Sequence, residues 1–239
     1  MSALLQHVPL DPFINVTKKI LGLSNADKVL GANGITPGMD PNAFWTKLNF
    51  MMGDMTFSQP IHKVSSFIAS LPPSPTKKKI YRYTQTYRNP FPGSTLYQIP
   101  GHHFIDMLFL FGTLRERYPS QKLRDLSDEF GKRWLRFGVG LAPWEEYVLD
   151  GREDEGKIMV INGRKGFDLR SRKEDVEESR LSEEGERRYV AWETMMEVMD
   201  GIAREQGVAK GEAAMWKWLA NDGMLGLVGV KGPYGDLDS

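Results

Sequence analysis

A chain of 239 residues, 41% apolar and 26% charged, can bury a sizeable core and has the balance of a globular protein. Lysine plus arginine and aspartate plus glutamate both number 31, so no net field favours a nucleic acid or an anionic membrane as partner. The absence of cysteine excludes disulfides, thiolate metal sites and a cysteine nucleophile, and no apolar run reaches the length of a membrane span. The opening residues, Met-Ser-Ala-Leu-Leu-Gln-His-Val-Pro, lack the basic start and long apolar centre of a signal peptide. Nothing in the chain directs export, and a cytoplasmic setting is the expectation.

The first seventy residues read as helices punctuated by Pro and Gly. Asp11 is placed to cap a helix with Pro12 at its first position, and Phe13, Ile14, Ile20 and Leu21 recur at helical spacing until Gly22. A short helix over residues 26–30 follows, then a loop marked by Asn33-Gly34 and Pro37-Gly38. Asp40-Pro41 opens a helix with Phe44, Trp45, Leu48 and Met51 on its core side. Asp54 is expected to cap the next, whose inward face would carry Phe57, Ile61, Val64, Phe67 and Ile68 before the prolines that follow Leu71.

Residues 77–87 form the clearest strand, with Ile80, Tyr81, Tyr83, Thr84 and Tyr87 supplying β-propensity. Its lysines and aromatics could face a nucleic acid, but three lysines before a strand read better as a solvated entry turn. A Pro- and Gly-rich loop over residues 88–94 leads on. A long amphipathic helix over residues 121–138 has Leu123, Leu126, Phe130, Trp134, Leu135 and Phe137 as its expected buried stripe. Gly156-Lys-Ile-Met-Val-Ile-Asn-Gly163 reads as a short strand. Charge density rises over residues 163–185, which points to an exposed connection. A helix running from Ser182 to about Gln206 would turn Tyr189, Trp192, Met195, Met196 and Met199 inward. A short helix near residues 213–219 and a Gly-rich tail follow.

The stretch on which function turns is residues 97–112. Two of the four histidines, His102 and His103, stand together between Pro100-Gly101 and an apolar run ending at Gly112. Asp106 follows His103 by three residues, one helical turn if the segment is helical. Imidazole titrates nearest neutrality, so this pair is a candidate acid/base site.

Several spaced motifs here resemble the C-terminal portion of type-B carboxylesterases, α/β-hydrolases that include cholinesterases and fungal lipases. They are Gly53-Asp54 with Pro60, Lys79-Ile-Tyr-Arg-Tyr83, His103-Phe-Ile-Asp106 running into Phe109-Leu-Phe-Gly112, Trp134-Leu-Arg-Phe137 and Pro143-Trp-Glu-Glu-Tyr147. The resemblance covers roughly residues 10–165 and looks closest to the fungal branch. It implies an α/β fold, helix-rich with few strands, formed by the C-terminal part of an α/β-hydrolase. Residues 1–165 would be the carboxylesterase part and 166–239 a charged connection and helical extension.

By the same resemblance His103 occupies the position of the general base, Asp106 supports the loop where the family has a glutamate, and His102 shapes the loop or lines the pocket. The substrate would be a small-molecule ester, and no cofactor is called for. The family's extracellular members carry a cysteine where Gln59 stands, so the corresponding disulfide cannot form; Asn15-Val-Thr17 is a formal glycosylation sequon.

The departures matter as much. An α/β-hydrolase serine sits on a Gly-x-Ser-x-Gly elbow, and this sequence contains no such pentapeptide. The His-Gly-Gly oxyanion motif is missing as well, and the family's acid would fall just before residue 1. A histidine without its serine has nothing to activate. Three readings follow: the histidine-bearing part of a serine esterase, inactive alone; a non-catalytic interaction module on a hydrolase-like fold; or a hydrolase in which Ser94 or Ser58 meets His103. A part of a parallel sheet domain would also expose apolar helix faces, favouring aggregation or pairing with a missing half.

Overall fold

The computed structural model describes residues 7–72, 74, 76, 78–94, 97–98, 101, 104–149, 156–181 and 187–207. In chain order these form α1 (Leu10–Leu21), α2 (Leu23–Ala32), α3 (Pro41–Gly53), a π turn (Asp54–Ser58), α4 (Gln59–Ser70) and β1 (Tyr83–Gln85). Next come α5 (Ile105–Leu110), a 3-10 turn (Arg115–Arg117), α6 (Gln121–Gly138), β2 (Ile158–Asn162), β3 (Gly166–Arg170), α7 (Arg172–Leu181) and α8 (Tyr189–Gln206). Helices outnumber strands, and the three strands form one small mixed sheet. The expected segments at 182–186 and beyond 207 lie outside the described residues. No described helix is long and apolar enough to cross a membrane.

The chain divides into two compact units, Met1–His62 with Arg188–Ser239, and Lys63–Arg187. The boundary expected at 165/166 lies within the turn joining β2 to β3.

The first unit is helical. Phe13, Val29, Leu48, Met51 and Met195 are buried at its centre, and the rings of Phe13 and Phe44 meet at 5.5 Å. Asp40 caps α3 as its position before Pro41 suggests, its Oδ1 accepting from Asn42 N at 2.9 Å and Ala43 N at 3.0 Å. Two capping expectations are corrected. Helix α1 starts two residues earlier than Asp11 implies, with Phe13 N donating to Pro9 O at 3.1 Å. Asp54 caps nothing: its backbone is helical, and its buried carboxylate accepts from Arg188 Nε. Arg188 Nη2 also donates to Asn33 Oδ1 at 2.5 Å. Burial pushes the Asp54 carboxyl above its ordinary range, and Arg188 opposes that shift.

The buried residues of α4 are Gln59, Ser65 and Ala69. Phe57, Ile61, Val64 and Phe67, expected inward, are exposed. The periodicity is real, but the apolar stripe it marks is not the face that is buried.

In the second unit β2 is the central strand, and all five of its residues are buried. It pairs in parallel with β1, Thr84 opposite Val160, and antiparallel with β3, Val160 opposite Asp168. The β1–β2 connection contains α5 and α6, as a parallel pair requires a crossover. Only part of the expected 77–87 strand joins the ladder. Bonds from Met159 N to Arg82 O (3.0 Å) and from Thr86 N to Ile161 O (2.8 Å) mark its ends, while Ile80 O accepts from Tyr147 N. Helix α6 has the bounds its pattern gave, with Leu126 and Phe130 buried and Trp134 half-buried; Leu135 and Phe137, nearer its C-terminal end, are exposed.

The largest correction concerns residues 163–185. Asn162 Oδ1 accepts from Arg164 N at 3.0 Å and Lys165 N at 2.6 Å, closing a tight turn into β3. The charges that suggested exposure are partly internal. Asp175 is fully buried and accepts from Arg170 Nη1 at 3.1 Å and from Arg187 through Nε at 2.7 Å and Nη2 at 2.9 Å. Arg170, itself 2% exposed, also donates to Asp168 Oδ2 at 2.8 Å. Removing one member of such a network leaves buried charge uncompensated. Asp175→Asn is therefore expected to lower the unfolding free energy measured in urea by about 3–5 kcal/mol. An exposed carboxylate change, Asp27→Asn, should move it by under about 0.5 kcal/mol.

Candidate functional site

The site is built where β1 ends. In open parallel sheets ligands gather beyond the carboxyl ends of the strands, and here that end leads through residues 86–101 to the histidine pair. Asn89 organises the approach. Its Oδ1 accepts from Phe91 N at 3.0 Å, its carbonyl from Gln98 N at 3.0 Å, and its Nδ2 donates to Ser94 Oγ at 3.1 Å. Arg88 Nη1 donates to Gln98 O at 2.8 Å. A Pro- and Gly-rich loop is thus held by side-chain bonds in place of a ladder.

His102 and His103 lie outside the described residues, but both neighbours in the chain are fixed. Gly101 N donates to Tyr87 O at 3.1 Å, and its backbone has φ +56°. A Cβ at Gly101 would stand 2.7 Å from Gln85 O, so only glycine fits against the end of β1. On the other side Phe104 holds φ +69° and leads into α5, whose Ile105 and Phe109 are buried. Gln98 has φ +62°. Two non-glycine residues in the left-handed region therefore flank the pair, a conformation that costs roughly 1–3 kcal/mol each and persists only where surroundings enforce it.

Asp106, in the first turn of α5, is brought to β1. Tyr83 donates its hydroxyl to Asp106 Oδ2 at 3.1 Å across 23 residues of sequence. The Tyr83 ring is boxed edge-on by Trp134 at 5.0 Å, Phe130 at 6.2 Å and Trp144 at 6.2 Å. Tyr81 meets Phe137 at 6.0 Å and Trp144 at 6.4 Å, and Arg82 lies over the Tyr147 ring at 4.6 Å. Residues from four motifs scattered over residues 79–147 thus form one cluster. The sequence assigned Tyr81 and Tyr83 to a strand and left the aromatics as core. Their alternate spacing, which puts both tyrosines on one face, was the available signal for their shared role.

Burial raises the Tyr83 and Tyr87 hydroxyls above the usual phenol range, and the Asp106 charge pushes both further. Both remain protonated donors at neutral pH. Tyr87 is 2% exposed, its ring meets that of Phe109 tilted at 4.3 Å, and its hydroxyl has no hydrogen-bond partner among the described residues. Helix α5 is pinned from behind by Ser127 Oγ, which donates to Phe109 O at 2.6 Å, and by Tyr118, whose hydroxyl points at Leu108 O (2.9 Å) and Thr113 O (3.2 Å).

The alternative nucleophiles have other engagements. Ser94 Oγ accepts from Asn89, and Ser58 belongs to the π turn of the first unit, where it bonds Asp54. Among the described residues, no three of His, Asp and Glu gather as a metal site. A shallow groove between α6 and the β2–β3 turn includes no residue of the histidine loop.

Comparison with protein-family models, with curated proteins and with solved structures finds no match to this chain.

The close approach at Gly101 is directly testable. Gly101→Ala should cost roughly 1–3 kcal/mol of stability from its left-handed backbone and the clash with Gln85 O. Gly93→Ala, where φ is +90° but no atom lies within 4 Å, should cost less in the same urea titration.

Proposed function

We propose that this chain is the histidine-bearing, C-terminal part of an α/β-hydrolase of the type-B carboxylesterase class. In the complete enzyme it would hydrolyse small-molecule carboxylic esters with His103 as general base. The observation that carries the reading is the convergence of separate motifs on one locus. Tyr83 of the Lys-x-Tyr-x-Tyr strand, Trp134 and Trp144 of the later motifs, and Asp106 of the histidine motif meet beside the start of β1. Their packing supports the reading, beside the clustering that buried aromatics of one unit show in any fold.

The chemistry follows from the chain's own groups and from what they lack. In the proposed reaction an imidazole at His103 takes the proton of a serine hydroxyl as that oxygen attacks the ester carbonyl, then returns it to the departing alcohol. In this reading Asp106 has a supporting role in the loop, and His102 would shape the loop or line the pocket. The serine, the acid and the oxyanion donors come from polypeptide outside these 239 residues, since the sequence carries no Gly-x-Ser-x-Gly elbow. Exposed apolar side chains on α4 and α6, among them Val64, Phe67 and Leu135, accord with a unit that another part of a larger domain would cover.

The chain alone is expected to hydrolyse p-nitrophenyl butyrate no faster than buffer. In the longer polypeptide that supplies the serine, His103→Gln should lower kcat/KM by about 10^4-fold or more, and His102→Gln by less than about 10-fold. Serine-type turnover that survives His103→Gln in that polypeptide would refute the assignment.

A further inference from the structure

Helix α4 turns its apolar side outward. Its covered residues are Gln59, Ser65 and Ala69, while Ile61, Val64 and Phe67 are 60%, 58% and 64% exposed at helical spacing, and Leu71 extends their line just past the helix. Single apolar residues on a surface need no explanation, but a row of them along one helix face marks a surface that meets something. Three covers suit such a face: another part of a larger domain, a second copy of the chain, or a lipid surface.

Charge separates the three. The chain is neutral overall, yet residues 55–105 contain no aspartate or glutamate and carry Lys63, Lys77, Lys78, Lys79, Arg82 and Arg88. Tyr147 ties this cationic stretch to α4. Its backbone N donates to Ile80 O at 2.8 Å, its hydroxyl lies 3.5 Å from Ser66 Oγ, and Arg82 sits over its ring at 4.6 Å. Lys63 on the helix, and Lys78 and Lys79 just before Ile80, are exposed. The carboxylates beside Tyr147 in sequence are Glu146 and Glu145, and Glu145 pairs with Lys157 at 3.3 Å. A second copy would set like charge against like charge, which disfavours a symmetric pair. Burial within a larger domain calls for no single sign of charge around the covered face. A bilayer with anionic headgroups matches both features, since lysine stems lie along apolar surface while their ammonium heads reach the phosphates.

We propose that α4 docks this chain on an anionic lipid surface, with Val64 and Phe67 entering the boundary of the acyl chains and Lys63, Lys78 and Lys79 meeting the headgroups. The esterase reading leaves this face to another part of a larger domain. The inference concerns the 239-residue chain, in which the face is exposed, and does not rest on that reading.

The test is flotation of the full chain with vesicles on a sucrose gradient, which separates lipid-bound protein from aggregates. Vesicles of phosphatidylcholine with about 30% phosphatidylserine should carry the chain upward, and vesicles of phosphatidylcholine alone should carry far less. Binding should fall as NaCl rises from about 0.1 to 0.5 M. Phe67→Ser should weaken it by about 10-fold or more, as should Lys78→Glu combined with Lys79→Glu. Leu135→Ser, at a site on α6 that is 72% exposed, should leave it unchanged. All these positions are exposed, so the melting temperature should hold and a loss of binding is not a loss of fold. Because the chain has no cysteine, Phe67→Cys accepts a single environment-sensitive dye, whose emission should shift to the blue on the anionic vesicles. No flotation, equal flotation with neutral vesicles, or a loss caused by the lysine variants alone overturns the proposal. So does a dimer that Phe67→Ser disperses, since the second copy would then be the cover. Ester hydrolysis is not measured, so this inference and the esterase reading fail separately.

Discussion

Two buried carboxylates, Asp54 and Asp175, set the terms on which this chain folds. A carboxylate removed from water without a partner costs several kcal/mol, enough to consume much of a domain's net stability. The chain meets both demands with adjacent residues. Arg187 closes on Asp175 within the second unit, and Arg188 closes on Asp54 within the first. One dipeptide thus completes the polar interior of each unit, at the point where the chain passes from one to the other. That requirement fixes the hairpin and α7, because Arg170 of β3 shares the Asp175 carboxylate.

With that framework in place, the buried strand β2 brings β1 into parallel register, and the crossover between them carries the loop of interest. Order in the loop is local. Gly101 is pressed against Gln85 O, and Phe104 and Gln98 adopt backbone conformations that a free chain would avoid. Strain of this kind is sustained by the packing behind it, here the aromatic box around Tyr83 and the bonds from Ser127 and Tyr118 to the carbonyls of α5 and its exit. The proposed catalytic role of His103 relies on the same elements, since an acid/base group acts only if it is held to its task.

Much of the helical layout was legible in the sequence. Asp40-Pro41, the 121–138 stripe and Gly156–Gly163 each combined a periodic pattern with a physical stop or start signal, and the elements follow them. Residues 163–185 were misread because formal charge does not reveal pairing. Arg170, Asp175 and Arg187 look solvated one at a time, and their burial depends on partners up to 12 positions away. On α4 the apolar stripe and the buried face differ, since Gln59, Ser65 and Ala69 are the residues covered. For the site, spacing brought out His103 and Asp106 as a pair, but the bond from Tyr83 spans a strand, a loop and a turn that no local pattern encodes.

The role proposed for His103 requires a serine supplied by polypeptide beyond these 239 residues. Its most direct test is to treat extracts of the source cells with a tagged fluorophosphonate, then recover the native protein with an antibody raised against residues 150–188. The account predicts a labelled species of roughly twice the 27.1 kDa of this chain, the size of a complete catalytic domain of this kind. A single species of 27.1 kDa that takes up no label would contradict it.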